Sequence, residues 1–126
     1  MPAPAELARS FFDAYARGDR EAAAALLADD LTAYVTNASG DADVVSGRDD
    51  YMARVPDLQS ADGAIEVTQV LEIDEELVLS MVEIRAKREG RELHNFAAFL
   101  ARITGGRIVD LWMVDARPAF SDEFWS

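Results

Sequence analysis

Asp115, Asn95 and Tyr15 are the side chains best placed for chemistry in this sequence, because each sits in an apolar pattern that would turn it inward. If Phe99, Leu111 and Met113 face a pocket, strand alternation brings Asp115 to the same face. A carboxylate on an apolar wall is harder to ionise than one in water, which suits a general base near neutral pH. The competing reading puts Asp115 at the strand end, against solvent or Arg117. Asn95 shares an inward face with Leu93, Ala97 and Phe99. A buried amide needs partners, and these are a ligand carbonyl, a neighbouring backbone group or Tyr15. Tyr15 lies one helical turn past Phe11, where its hydroxyl either donates to a developing enolate or simply caps the core. Tyr51 is a weaker candidate of the same kind.

That set describes proton abstraction beside a carbonyl, leading to isomerisation or an aldol-type cyclisation. Asp115 is the base, and Tyr15 and Asn95 steady the oxyanion. Phe11, Tyr51, Val82, Ile84, Phe99, Leu111 and Met113 are the expected substrate-binding residues. The substrate is then a small apolar molecule, and no cofactor or metal is called for. Other constellations fall away. The chain has no cysteine and one histidine, His94, so thiolate chemistry and multi-histidine metal sites within one chain are excluded. Spacing supports no Ser-His-Asp arrangement. The acid pairs Asp29-Asp30, Asp49-Asp50 and Glu75-Glu76 fall at helix ends and turns, where acids have local reasons to occur. Gly105-Gly106 reads as a hairpin turn and opens no phosphate-binding helix.

The elements that must hold these residues are legible in outline. Leu7, Phe11 and Tyr15 recur every four residues and define one helix, with Pro2 and Pro4 at its start. Gly18 ends it, and Asp19 caps a second helix over Arg20 to Ala28. Leu31 to Thr36 alternates as a strand, and Asn37 to Val45 reads as loop. Ser46-Gly47-Arg48-Asp49 reads as a capping box opening a third helix, which Pro56 ends. From Ala64 the period changes to two. Ile65, Val67, Gln69, Leu71 and Ile73 are expected on one face, followed by strands Leu77 to Arg88, Arg91 to Ile103 and Arg107 to Asp115. Short turns make these neighbours antiparallel. The fold class is α+β, a curved antiparallel sheet with three helices on one face, wrapping a single pocket as a cone.

The last strands are apolar on both faces. His94, Phe96, Ala98 and Leu100 oppose the inward set of one strand, and Ile108, Trp112 and Val114 oppose that of the last. Three short helices cover one face only, so a homodimer through His94, Phe96, Leu100, Trp112 and Val114 is expected. The alternative is that Arg117 to Ser126, with Phe120, Phe124 and Trp125, folds back over that face. His94 then hydrogen-bonds at the interface and does no chemistry.

With 126 residues the chain is a single domain, 1–126, and half of its residues are apolar. A net charge of −12 argues against nucleic acid and anionic membranes as partners. No apolar run approaches the roughly 18 residues of a membrane span, and no leader is visible, so the cytoplasm is the default location. One lysine, Lys87, against eleven arginines fits a GC-rich bacterial genome.

The helix-Gly-Asp-helix opening, the Ala28-Asp29-Asp30 stop, the Ser46-Gly47 helix start and the closing run Leu111 to Pro118 resemble the nuclear transport factor 2-like superfamily. Within it the chain is most similar to the SnoaL-like polyketide cyclase and ketosteroid isomerase branch. The polar residues of the steroid isomerases fall at Phe11, near Val35 and near Phe99, so their specific mechanism is not expected here. The acid/base aspartate of the SnoaL-like cyclases falls near Asp115. Two readings stay open: an isomerase or cyclase, and a non-catalytic dimer that binds a small ligand or serves as an assembly module.

Overall fold

The computed structural model describes residues 3–126; Pro2 lies outside them. The elements in chain order are α1 Pro4–Ala16, α2 Arg20–Ala25, β1 Leu27–Thr36, β2 Ala42–Ser46, α3 Arg48–Arg54, a 3-10 turn Leu58–Ala61, β3 Ala64–Glu72, β4 Leu77–Arg88, β5 Arg91–Thr104, β6 Arg107–Asp115 and α4 Pro118–Trp125. The fold is α+β as expected, with a curved six-stranded sheet ordered β2-β1-β6-β5-β4-β3 that does not close. Four of its five pairings are antiparallel; β1 and β6 run parallel.

α1 starts with Pro4 in its first turn and buries Leu7, Phe11 and Tyr15 on one face against the sheet. Gly18 takes the left-handed conformation that turns the chain (φ 79°), and Asp19 caps α2 by accepting from the Ala22 amide at 3.0 Å.

Several local expectations yield to sheet pairing. The second helix stops at Ala25 instead of Ala28, because Leu27 pairs with Ile108 and is fully buried, and tertiary packing outweighs the helix preference of alanine and leucine. The stretch expected as loop contains β2, which folds back on β1 around a turn held by the Asn37 side chain. Ser46 completes β2, so the expected capping box does not form; Gly47 holds the cap position of α3 with φ 95° and no side-chain bond.

Two bulges shift faces. The β3–β4 register slips between Val67 and Gln69, so Val67 and Val70 pack on the core while Leu71 is 51% exposed. The β5–β6 register slips between Arg102 and Ile103, and this turns Ile108 into the core instead of outward.

The C-terminal segment does not cover the outer sheet face. It forms α4 on the concave side, where Phe124 is buried against Ala61, Ala86 and Leu93. Phe96 and Val114 are therefore left 46% and 61% exposed on the outside. Val44, Tyr34, Trp112, Leu100, Leu79 and Leu71 form one row across all six strands. The rings of Tyr34 and Trp112 stack there, 5.3 Å apart and nearly parallel.

Candidate functional site

The concave face of the sheet, α1, α3 and α4 line an apolar pocket with about 100 Å³ of space for solvent-sized molecules. Its aromatic wall is built where the α1 side chain Phe12 reaches Phe99 of β5. Phe12 meets Phe11 and Phe99 edge to face, with ring centres 5.3 and 5.0 Å apart. Ile84 and Met113 also line the pocket, whereas Val82 and Leu111 lie fully buried behind its surface.

Asp115, at the end of β6, lines the same pocket. Its Oδ1 accepts two bonds, from Asn95 Nδ2 at 2.7 Å and from the Arg117 amide at 2.7 Å. Among the described residues its Oδ2 accepts none. The backbone beneath is pinned by Thr36, whose Oγ1 donates to the Met113 carbonyl at 2.8 Å and accepts from the Asp115 amide at 3.2 Å. Thr36 can do this because β1 and β6 run side by side in parallel, so both strand ends point the same way.

Asn95 is 1% exposed, lies outside the pocket lining, and spends its amide N–H on Asp115. Its Oδ1 is buried without a partner among the described residues. Tyr15 lines the pocket, but its hydroxyl donates to the Pro56 carbonyl at 2.5 Å. Burial and then the neighbouring Tyr51 push the Tyr15 phenol well above its ordinary pKa. Tyr51 is 5% exposed and also lines the pocket, and its hydroxyl makes no hydrogen bond among the described residues. Burial alone pushes its pKa up in the same direction, so it stays a protonated donor.

Arg54 and Ser121 also line the pocket and were not singled out by sequence reasoning, and Trp125, considered only as a cover for the outer face, lines it too. Arg54 sits at the rim with its guanidinium on Asp43, at 3.0 Å. The signal for α4 was present: Pro118 followed by Phe120 and Phe124, four residues apart, is a helix start with an apolar stripe. His94 lies on the outer face, where Nε2 meets Glu83 Oε2 at 2.5 Å. That bond is the main reason the Glu83 carboxyl is held below its ordinary range. Among the described residues no three acidic, histidine or cysteine side chains converge as metal ligands do, and no helix is long and apolar enough to cross a membrane.

A family profile described as SnoaL-like domain matches residues 8–111. The chain belongs to the SnoaL-like family. Uncharacterized protein Rv0034 of Mycobacterium tuberculosis (strain ATCC 25618 / H37Rv) is 34% identical over 124 residues, spanning 96% of this SnoaL-like chain and 95% of its own. Bal32a, from a soil-derived mobile gene cassette, superposes with a TM-score of 0.84 at 21% identity, covering 98% of this chain and 97% of that one. A candidate ketosteroid isomerase from Kribbella flavida DSM 17836 superposes at 0.72 and 22% identity, covering 90% and 77%. A loop-truncation variant of IdmH superposes at 0.75 and 17% identity, covering 96% and 98%. These likenesses establish the nuclear transport factor 2-like fold of the SnoaL-like chain. Asp115 and α4 lie beyond the stretch that the family profile matches.

Proposed function

We propose that this SnoaL-like chain binds a small apolar carbonyl compound and performs cofactor-free acid–base chemistry on it, as an isomerase or cyclase. One observation carries the reading: the Asp115 carboxylate lines an apolar pocket with Oδ1 committed to Asn95 and Arg117 and Oδ2 uncommitted among the described residues. In this mechanism Oδ2 takes the proton from the carbon beside the carbonyl. The C–H pair becomes the new double bond, and the carbonyl π pair moves to oxygen as an enolate. Tyr51 is the better hydrogen-bond donor to that oxygen, since the Tyr15 hydroxyl is already spent on Pro56. In a β,γ-unsaturated ketone the proton then returns from Asp115 to the far carbon of the dienolate, giving an isomer. Otherwise the enolate carbon attacks a second carbonyl of the same molecule, its π pair moves to oxygen, and the Asp115 proton goes to that alkoxide as the ring closes.

The outer row from Val44 to Leu71 is the proposed interface with a second copy of the chain. A twofold axis through it lets the same apolar patch cover itself, and the stacked Tyr34 and Trp112 would lie at its centre.

The direct test is to incubate the protein in D₂O with a panel of enolisable aryl and cyclic ketones and follow deuterium entry at the α-carbon by NMR. Exchange that disappears in Asp115→Asn while the fold persists is the expected result. Ketones that bind without exchanging would identify a binding module instead, and exchange retained in Asp115→Asn would remove Asp115 from the mechanism.

A further inference from the structure

The wall of the pocket formed by α4 differs from the others. The remaining walls belong to the sheet, α1, α3 and the segment from Val55 to Leu58, all inside or overlapping the stretch that matches the SnoaL-like profile, whereas α4 lies wholly beyond it. Ser121 and Trp125 of α4 face the pocket. Only Phe124 of its eight residues is buried; Phe120 is 37% exposed. A helix with a single buried anchor belongs to the low-stability end of a structure, where local opening costs least.

What keeps α4 in place is concentrated at its two ends. At its C-terminal end the carbonyls left without helical partners are taken up by two arginines of the β4–β5 hairpin. Arg88 Nη1 donates to the Trp125 carbonyl at 3.0 Å, and Arg91 Nη1 donates to that of Glu123 at 3.1 Å. The Arg91 guanidinium also lies 5.8 Å from the centre of the Phe124 ring. At its N-terminal end the connection is Ala116–Arg117, and the Arg117 amide is one of the two donors to Asp115 Oδ1. Docking of α4 and orientation of the Asp115 carboxylate therefore share a bond. With α4 down, the pocket keeps about 100 Å³ of space for solvent-sized molecules and is only partly closed off from solvent. A larger ring compound gains room if a wall moves, and α4, with its single buried anchor, is the wall most easily released.

We propose that α4 is the specificity-determining lid of the pocket. It opens about Ala116–Arg117, admits a flat apolar ring compound, and closes with Trp125 and Ser121 against it while Arg88 and Arg91 hold the far end. This inference rests on the small-molecule reading of the pocket, and its test is built to separate the two.

The test uses the full chain in wild-type, Arg88→Ala/Arg91→Ala and Trp125→Ala forms, with 2-naphthol and the larger 1-hydroxypyrene as fluorescent probes. In hydrogen–deuterium exchange, the peptide covering α4 should exchange faster than β5 in the wild type. It should speed up about tenfold more in the double variant, with β4 to β6 unchanged. In stopped flow, wild-type 2-naphthol binding should saturate at the opening rate, and the double variant should raise that limit about fivefold. Trp125→Ala should shift preference toward 1-hydroxypyrene by about fivefold or more. If α4 is as protected as β5 and indifferent to the double substitution, the lid is overturned whatever the probes do. If neither probe binds any of the three proteins, the small-molecule reading fails, and the exchange data still decide whether α4 opens.

Discussion

Asp115, at the end of β6, pairs with Ala97 of β5 and is bonded by Asn95 two residues along that strand, with 2.7 Å between amide nitrogen and carboxylate oxygen and the amide sealed from solvent. Asn95 thereby fixes which carboxylate oxygen is left for the pocket. It acts on Asp115 and does not itself line the cavity.

Asn95→Leu separates this positioning role from a structural one. The substitution removes a buried acceptor that has no partner as well as the donor to Asp115, so its cost and gain in stability nearly cancel, to within about 1 kcal/mol. α-Proton exchange should nevertheless fall about tenfold or more, because the carboxylate loses its fixed orientation. Thermal unfolding and NMR exchange measured on the same sample check both halves.

The two pocket tyrosines should behave differently. Tyr51→Phe is expected to reduce the exchange rate about a hundredfold with little change in ketone affinity, as loss of an oxyanion donor does. Tyr15→Phe strips the Pro56 carbonyl of its donor and should cost about 1 kcal/mol of stability while leaving exchange nearly intact. Kinetics and denaturant melts of the two variants distinguish the roles.

Alkaline stability follows from the same residues. Tyr15 and Tyr51 have folded-state pKa values raised above the ordinary value of 10.0, chiefly by burial. Their contribution is complete below pH 10 and is lost above it, because the unfolded chain ionises there and the folded one resists. The wild type should therefore lose melting temperature steeply above pH 10, and Tyr51→Phe should flatten that slope. A melt series from pH 8 to 11 checks it.

Glu83 works in the acid range. Its folded pKa lies below the ordinary 4.5, first through the bond to His94 and then with help from Arg85. The stability this adds is present above pH 4.5 and declines as the pH falls through the lowered value. Glu83→Gln should show a shallower loss of melting temperature than wild type below that point.

Val114→Arg tests the proposed outer-face dimer without touching the pocket. Val114 is 61% exposed in the single chain, so the substitution should spare the fold and place two like charges across a twofold axis. Sedimentation should show the dimer dissociation constant raised about a hundredfold or more. An unchanged dimer would move the interface elsewhere.

The α+β class, the helix pair around Gly18 and Asp19, and the inward faces of β4 and β5 were all visible in residue order, because each depends on a local period or a local cap. So was the excess apolar surface on the outer side of the sheet, since alternation counts residues without needing partners. What the chain could not state locally was who pairs with whom. Leu27 leaves a helix-favouring run because Ile108, eighty-one positions away, needs an edge to pair with, and β2 exists only because β1 is there to bond it. The bulges that turn Val70 and Ile108 inward are likewise slips between strands and leave no periodic mark in either strand alone. The site divides in the same way. Asp115, Asn95 and Tyr15 could be nominated from sequence because side-chain type and face suffice for that. Which hydroxyl is spent, which carboxylate oxygen is held and which side of the sheet α4 covers were decided by contacts between residues distant in sequence, and those exist only once the sheet has curved and closed its pocket.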